Sequence, residues 1–119
     1  MVTRVASYTI MSDYPITLKR GDDIDHTFNF NLPEGAEKVS AILGFKIDPI
    51  SPRNLVLRIE VNGIFDYAFS INSDVICSQH EVIPFRSLKA GQNSLTMKLT
   101  GGEGGVKIGD VVLLFQKPV

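Results

Sequence analysis

Two histidines, one cysteine and a knot of aspartates are the residues of this 119-residue chain that come nearest to chemistry. A histidine base needs a nucleophile to deprotonate and an acid to orient it. No Gly-x-Ser-x-Gly elbow is present to supply the nucleophile. Cys77 and His80 stand three apart in Cys77-Ser-Gln-His80, a spacing that makes a Cys–His pair only on a helical turn. Without that turn they are a half-buried cysteine beside an exposed histidine. His26 falls on the apolar parity of its segment and is expected as a hydrogen-bonded histidine at the edge of the core. Acid–base catalysis needs titrating groups within hydrogen-bond reach of one another. The chain therefore reads as a non-enzyme, with a small isomerase or lyase as the outlying alternative.

Asp22, Asp23 and Asp25 follow Gly21. Oxygen-rich loops of this kind suit calcium, which takes 6–8 oxygen ligands, and Asp22 and Asp23 are the candidate metal ligands. The competing reading is a solvated turn whose charges discourage edge pairing. Sugar binding would need exposed aromatic rings and polar groups that meet hydroxyls. There is no Trp, and the tyrosines are Tyr8, Tyr14 and Tyr67. Tyr14-Pro15 is expected in an exposed loop, whereas Tyr67 shares parity with Phe65 and Phe69 and is expected in the core. Polar loop residues such as Asp66, Asn72, Asp74, Gln79, Arg86 and Gln92 complete the inventory. The run Gly101–Gly105 lacks the Lys-Ser/Thr of a phosphate-cradling loop and opens no helix; it is expected as a hairpin turn.

The elements that must hold these residues are strands. Ile24, His26, Phe28, Phe30 and Leu32 alternate with polar residues; so do Val39 to Ile47, Leu55 to Val61, Phe65 to Ile71, and Leu95 to Leu99. That is period-two burial, with no helical period anywhere. Pro49 and Pro52 are expected to end one run, and Asn62-Gly63 to make a two-residue hairpin. Val82–Phe85 reads as a short strand or turn segment, Gly109-Asp110 as a bulge, and Val2–Met11 and Ile16–Lys19 as two further strands. Eight or nine short strands at near-regular spacing predict an all-β sandwich or barrel in a single domain, 1–119.

Composition narrows the partners. Lys plus Arg number 12 against 13 Asp plus Glu, so no global charge draws the chain to nucleic acid or an anionic membrane. One cysteine allows no intrachain disulfide. The N-terminal residues lack a signal peptide's apolar run, and no apolar run approaches the roughly 20 residues of a membrane span. A soluble, cytoplasmic protein is the expectation.

The second half carries a resemblance. Leu55-Val-Leu-Arg-Ile-Glu-Val-Asn62-Gly63, then Leu88-Lys-Ala-Gly91-Gln-Asn93-Ser-Leu95, then Val106-Lys-Ile-Gly-Asp110-Val-Val-Leu resemble, in order and spacing, the galactose-binding-like jelly-roll superfamily, which includes many carbohydrate-binding modules. The resemblance covers residues 55 to 115. It implies a two-sheet antiparallel jelly-roll β-sandwich and a carbohydrate ligand. It also implies structural calcium near the chain ends, with Asp110 as a ligand in the last strand; the first half does not match the rest of that calcium pattern. Chemically, Asn62-Gly63 and Gly91 suit turns of positive φ, and Asn93 can bond nearby backbone. The candidate ligand-binding residues are Asp66, Arg86, Gln92 and Tyr14. The competing function is structural: a jelly-roll building block of a homo-oligomer, its interface marked by the doubly apolar run Val111–Phe115 and the outward parity of Ile42 and Val56.

Overall fold

The computed structural model describes residues 3–12 and 14–119. Seven strands follow in order: β1 (Arg4–Ile10), β2 (Ile16–Lys19), β3 (Asp25–Leu32), β4 (Ala41–Val61), β5 (Phe65–Ile71), β6 (Cys77–Ile83) and β7 (Gly91–Pro118). Single 3-10 turns at Ala36–Lys38 and Phe85–Ser87 interrupt them. Every pairing is antiparallel. Among the described residues no helix is long and apolar enough to cross a membrane.

Two strands organise the rest. β4 and β7 pair with each other from Ile42↔Leu114 to Val61↔Leu95. β3, β2 and β1 line the other edge of β7, and β6 and β5 line the other edge of β4. Halfway along, the pair bends and the sheet folds onto itself. The first half is β3, β7 (91–99), β4 (55–61) and β5; the second is β1, β7 (112–118), β4 (41–47) and β6. Phe30, Val61 and Leu95 from one half and Leu43, Ile83 and Leu113 from the other line one internal gap. Phe45 and Phe69 bring their ring centroids to 6.5 Å across the interior. The result is an antiparallel β-sandwich of the jelly-roll kind.

The seven strands are the nine segments of the sequence pattern with two pairs run together. Pro49 and Pro52 do not end a strand. Between the stretches paired to β6 and β5, β4 has one edge unpaired, and there a missing N–H breaks no ladder. Likewise Gly101–Gly105 is no hairpin turn; it is the bend in β7. Gly102 and Gly104 have φ of 76° and 99°, and a Cβ on either would strike the carbonyls of Asn54 or Ser51. Ser51 and Asn54 themselves stand at positive φ. Both strands thus turn the corner together on left-handed residues.

The bend and a later bulge show in the burial parity of β7. Leu95, Met97 and Leu99 point inward, then Val106 and Ile108, then Val111, Leu113 and Phe115. The second switch is the expected bulge at Gly109-Asp110: Gly44 pairs Val112 but Lys46 pairs Gly109, and Asp110 takes φ 50°.

The β4–β5 hairpin has positive φ at Asn62 and Gly63, and Ile64 N–H donates to Val61 C=O at 2.9 Å. Val61 pairs Phe65, however, so the loop holds three residues and Ile64 is the extra one. Asn62 reaches from this loop to the start of β7. Its Nδ2 donates to Ser87 C=O (2.7 Å) and to Asn93 Oδ1 (2.8 Å), and its Oδ1 accepts from Ser94 N–H (2.9 Å). Asn93, only 1% exposed, also accepts from Lys89 N–H and donates to the carbonyls of Lys89 and Gly91. The Leu-Lys-x-Gly-x-Asn pattern is thereby explained as the lock on one end of the sandwich.

Candidate functional site

Tyr14 and Asp110 meet. The link between β1 and β2 carries Tyr14 and Pro15 over the outward faces of β4 and β7, next to the bulge. Together with Lys46, Asp48, Lys107 and Gly109 they line a cleft of about 140 Å³. Each strand residue arrives by register: Lys46 pairs Gly109 and Asp48 pairs Lys107, with outward parity throughout. The bulge gives Asp110 its exposure, since the extra residue turns outward between buried Ile108 and Val111. Tyr14 is 73% exposed, and the hydroxyl of Ser12 donates to its carbonyl. A second cleft of about 330 Å³, lined by Tyr8, Ile10, Ser12, Val111 and Val112, shares Asp110.

The four charges of the first cleft are two ammoniums and two carboxylates. The ion pairs among the described residues lie elsewhere: Arg53–Glu103, Arg58–Glu60, Arg58–Asp66 and Lys98–Glu60. The cleft therefore presents donors and acceptors not engaged in those pairs.

The other expected site residues are dispersed. Asp66 stands on the outer face of the first half, where Arg58 Nε donates to its Oδ1 at 2.7 Å. That hydrogen bond holds the Asp66 carboxyl below its ordinary range and the Arg58 guanidinium above its own. Gln92 shares this outer face, paired with Asn31 on β3; strand spacings put it roughly 15 Å from Asp66. Arg86 is exposed in the 3-10 turn after Pro84. Asp22 and Asp23 form the tight turn between β2 and β3, with Lys19 N–H donating to Asp23 C=O and Asp22 N–H to Lys19 C=O. β2 separates them from Asp110, which lies beyond its opposite end. Among the described residues no three His, Cys, Asp or Glu side chains converge as a metal would require.

The histidines and the cysteine also find their places. Cys77 opens β6, directly after the irregular residues 72–76, and three residues along a strand reverse the face. Cys77 packs against the core while His80 points out, so they cannot act on one another. His26 is exposed, its ring edge-on to Phe28 at 4.6 Å. Tyr67, expected inside, is 38% exposed on the edge strand β5, its ring 6.0 Å from that of Phe69. Lys46, Asp48 and Lys107 escaped the sequence reading. Their outward parity was visible, but their meeting depends on β4 continuing through Pro49.

No protein-family model matches the chain, and no curated protein matches it. Solved structures do. Dimeric latent PorU from Porphyromonas gingivalis matches with a TM-score of 0.64 at 14% identity, over 99% of this chain and 13% of that one. A β-porphyranase of glycoside hydrolase family 86 from the gut bacterium Bacteroides plebeius matches with 0.64 at 16%, over 98% of this chain and 21% of that one. A family 35 carbohydrate binding module from Clostridium thermocellum matches with 0.58 at 16%, over 91% of this chain and 97% of that one. The chain thus spans only about a fifth and about an eighth of the two large proteins and nearly the whole of the module. At such identities the likeness is one of fold, an antiparallel jelly-roll β-sandwich of the kind that the pattern of residues 55 to 115 suggested.

Proposed function

We propose that this domain is a non-catalytic binding module that takes a carbohydrate in the cleft beside Asp110. One observation carries the reading: an exposed aromatic ring, two carboxylates and two ammoniums converge at the bulged turn of β7. The apolar C–H face of a sugar packs on an aromatic ring such as Tyr14. Its hydroxyls donate to Asp48 and Asp110 and accept from Lys46 and Lys107, the few oriented polar groups that set specificity. The likeness to a carbohydrate binding module matched nearly end to end supports a binding role over a catalytic one. So does the separation of Cys77 from His80.

A glycan array run with and without calcium, followed by titration of the hits, tests this. Tyr14→Ala and Asp110→Asn should each weaken binding about tenfold or more, equivalent to about 1.4 kcal/mol. Asp66→Asn and Gln92→Ala should leave it unchanged. A blank array, or binding that Gln92→Ala abolishes and Tyr14→Ala spares, rejects the assignment.

A further inference from the structure

A single sugar ring on Tyr14 leaves the second cleft unfilled. By register the first cleft lies over residues 107–109 of β7 and the second over 111–112, so the two follow one another along that strand with the bulge between them. Asp110 lines both, and it enters none of the ion pairs among the described residues. Ile10 reaches the second cleft by pairing Val112, and Tyr8 stands one same-face step farther along β1. Met11 N–H donates to Val111 C=O at 2.8 Å, which holds the start of the β1–β2 link, and Ser12 with it, against the bulge. Tyr14 at 73% and Tyr8 at 63% are the two most exposed tyrosines, one in each cleft.

We propose that the two clefts are one groove and that its ligand is an oligosaccharide bound along its length, with Tyr8 as a second stacking ring; this rests on the assignment of the Asp110 cleft to a sugar and adds the size of that sugar. The first cleft, about 140 Å³, is below the roughly 300–1,000 Å³ usual for small-molecule sites, and joined to the second, about 330 Å³, it comes within that range. Tyr8 pairs Leu114, two same-face steps beyond Asp110, a distance of roughly 13 Å along the strand. One pyranose ring does not cover that span, so contact with Tyr14 and Tyr8 together takes linked rings.

A carboxylate at the join suits a chain. Its two oxygens offer about four acceptor positions, so hydroxyls of two successive rings can both donate to Asp110. The walls on either side differ. The first cleft turns Lys46, Asp48 and Lys107 toward hydroxyls, whereas the second offers Tyr8, Ile10 and Val112 to the C–H face of a ring and Ser12 and Asp110 to its edge. An alkyl group there would strip water from Ser12 and Asp110 and return no hydrogen bond, which is costly for a carboxylate. A third hollow, lined by Met11, Ile16, His26 and Phe28, shares Ser12 and Tyr14 but not Asp110, and so lies off this line.

Titration with glucose, galactose, mannose and xylose, and with the di-, tri- and tetrasaccharides of each, followed by protein NMR shifts, tests the proposal. The wild type should bind at least one series, its trisaccharide at least about tenfold tighter than its single sugar. Tyr8→Ala should remove that gain and leave the single-sugar affinity unchanged, with an unchanged circular dichroism spectrum. Tyr8→Phe, which keeps the ring, should preserve the gain. Tyr14→Ala should weaken binding at every length and His26→Ala at none. A single sugar held as tightly as its trisaccharide, and weakened by Tyr14→Ala, overturns the groove and leaves the Asp110 sugar site standing. So does a length gain that Tyr8→Ala spares or His26→Ala removes. Failure of every sugar at every length overturns both.

Discussion

Replacing Asn93 by alanine puts the lock at the end of the sandwich to a quantitative test. The wild-type side chain accepts from Lys89 N–H (2.9 Å) and Asn62 Nδ2 (2.8 Å), and donates to Lys89 C=O (2.9 Å) and Gly91 C=O (3.0 Å). Among the described residues no buried side-chain nitrogen or oxygen lacks a partner. Truncation removes four hydrogen bonds, each worth about 1 kcal/mol net. Lys89 and Gly91 are exposed and their groups can recover water, and Asn62 Nδ2 keeps Ser87 C=O. The loss should therefore be about 2–3 kcal/mol, a sizeable part of the roughly 5–15 kcal/mol that holds a domain folded. For a chain of this length that is a fall in Tm of about 10 °C. Thermal melts followed by circular dichroism, with urea midpoints at an unchanged m value, measure it. Asn93→Asp keeps both acceptor bonds but sets a carboxylate against two carbonyls, and should fall at least as far. A drop of less than about 2 °C for the alanine variant would mean that the network contributes almost nothing and that the pattern at 88–93 has another cause.

Two further perturbations probe the corner and the outer face. Gly102→Ala combines positive φ with a collision against Asn54 C=O and should cost about 3 kcal/mol or more, whereas Gly21→Ala, at φ 84° with open space around it, should cost about 1–2 kcal/mol; equal urea midpoints would argue against a tight crossing of β4 and β7. The Asp66 carboxyl is held low in the folded state, so the Arg58 pair stabilises above the ordinary carboxylate range near pH 4 and is lost as pH falls through the lowered value. Carboxyl NMR should show Asp66 titrating below that range, and moving up toward it in Arg58→Gln; a normal titration in the wild type would mean that the pair is not formed.

What the sequence disclosed was side-chain parity, and it did so wherever one face is dry and the other wet. Leu55, Leu57, Ile59 and Val61 are buried as their alternation required. Continuity was hidden, because proline and clustered glycine carry the same signal whether a strand stops or bends. Pro49 pairs Val106 within an unbroken β4, a possibility that only the edge left open between β6 and β5 reveals. The site suffered accordingly. Tyr14 and Asp110 were visible singly, as a loop tyrosine and a bulge aspartate. Their companions Lys46, Asp48 and Lys107 come together through a pairing that the proline seemed to forbid. One outward row was hidden for a related reason: β1 and β6 have mixed composition on both sides, and register alone assigns Tyr8 and Val82 to the same row as Ile42.

Because the same two backbones run through both layers, neither layer can be shed, exchanged or opened by itself. A tear started in one half propagates along an uncut ribbon into the other. Amide exchange along residues 41–61 and 91–118 should therefore fade as a single cooperative unit. The chain must also bring Arg4 beside Pro118 to finish the sheet, a closure between distant ends that places assembly of this domain among the slow, millisecond-to-second events.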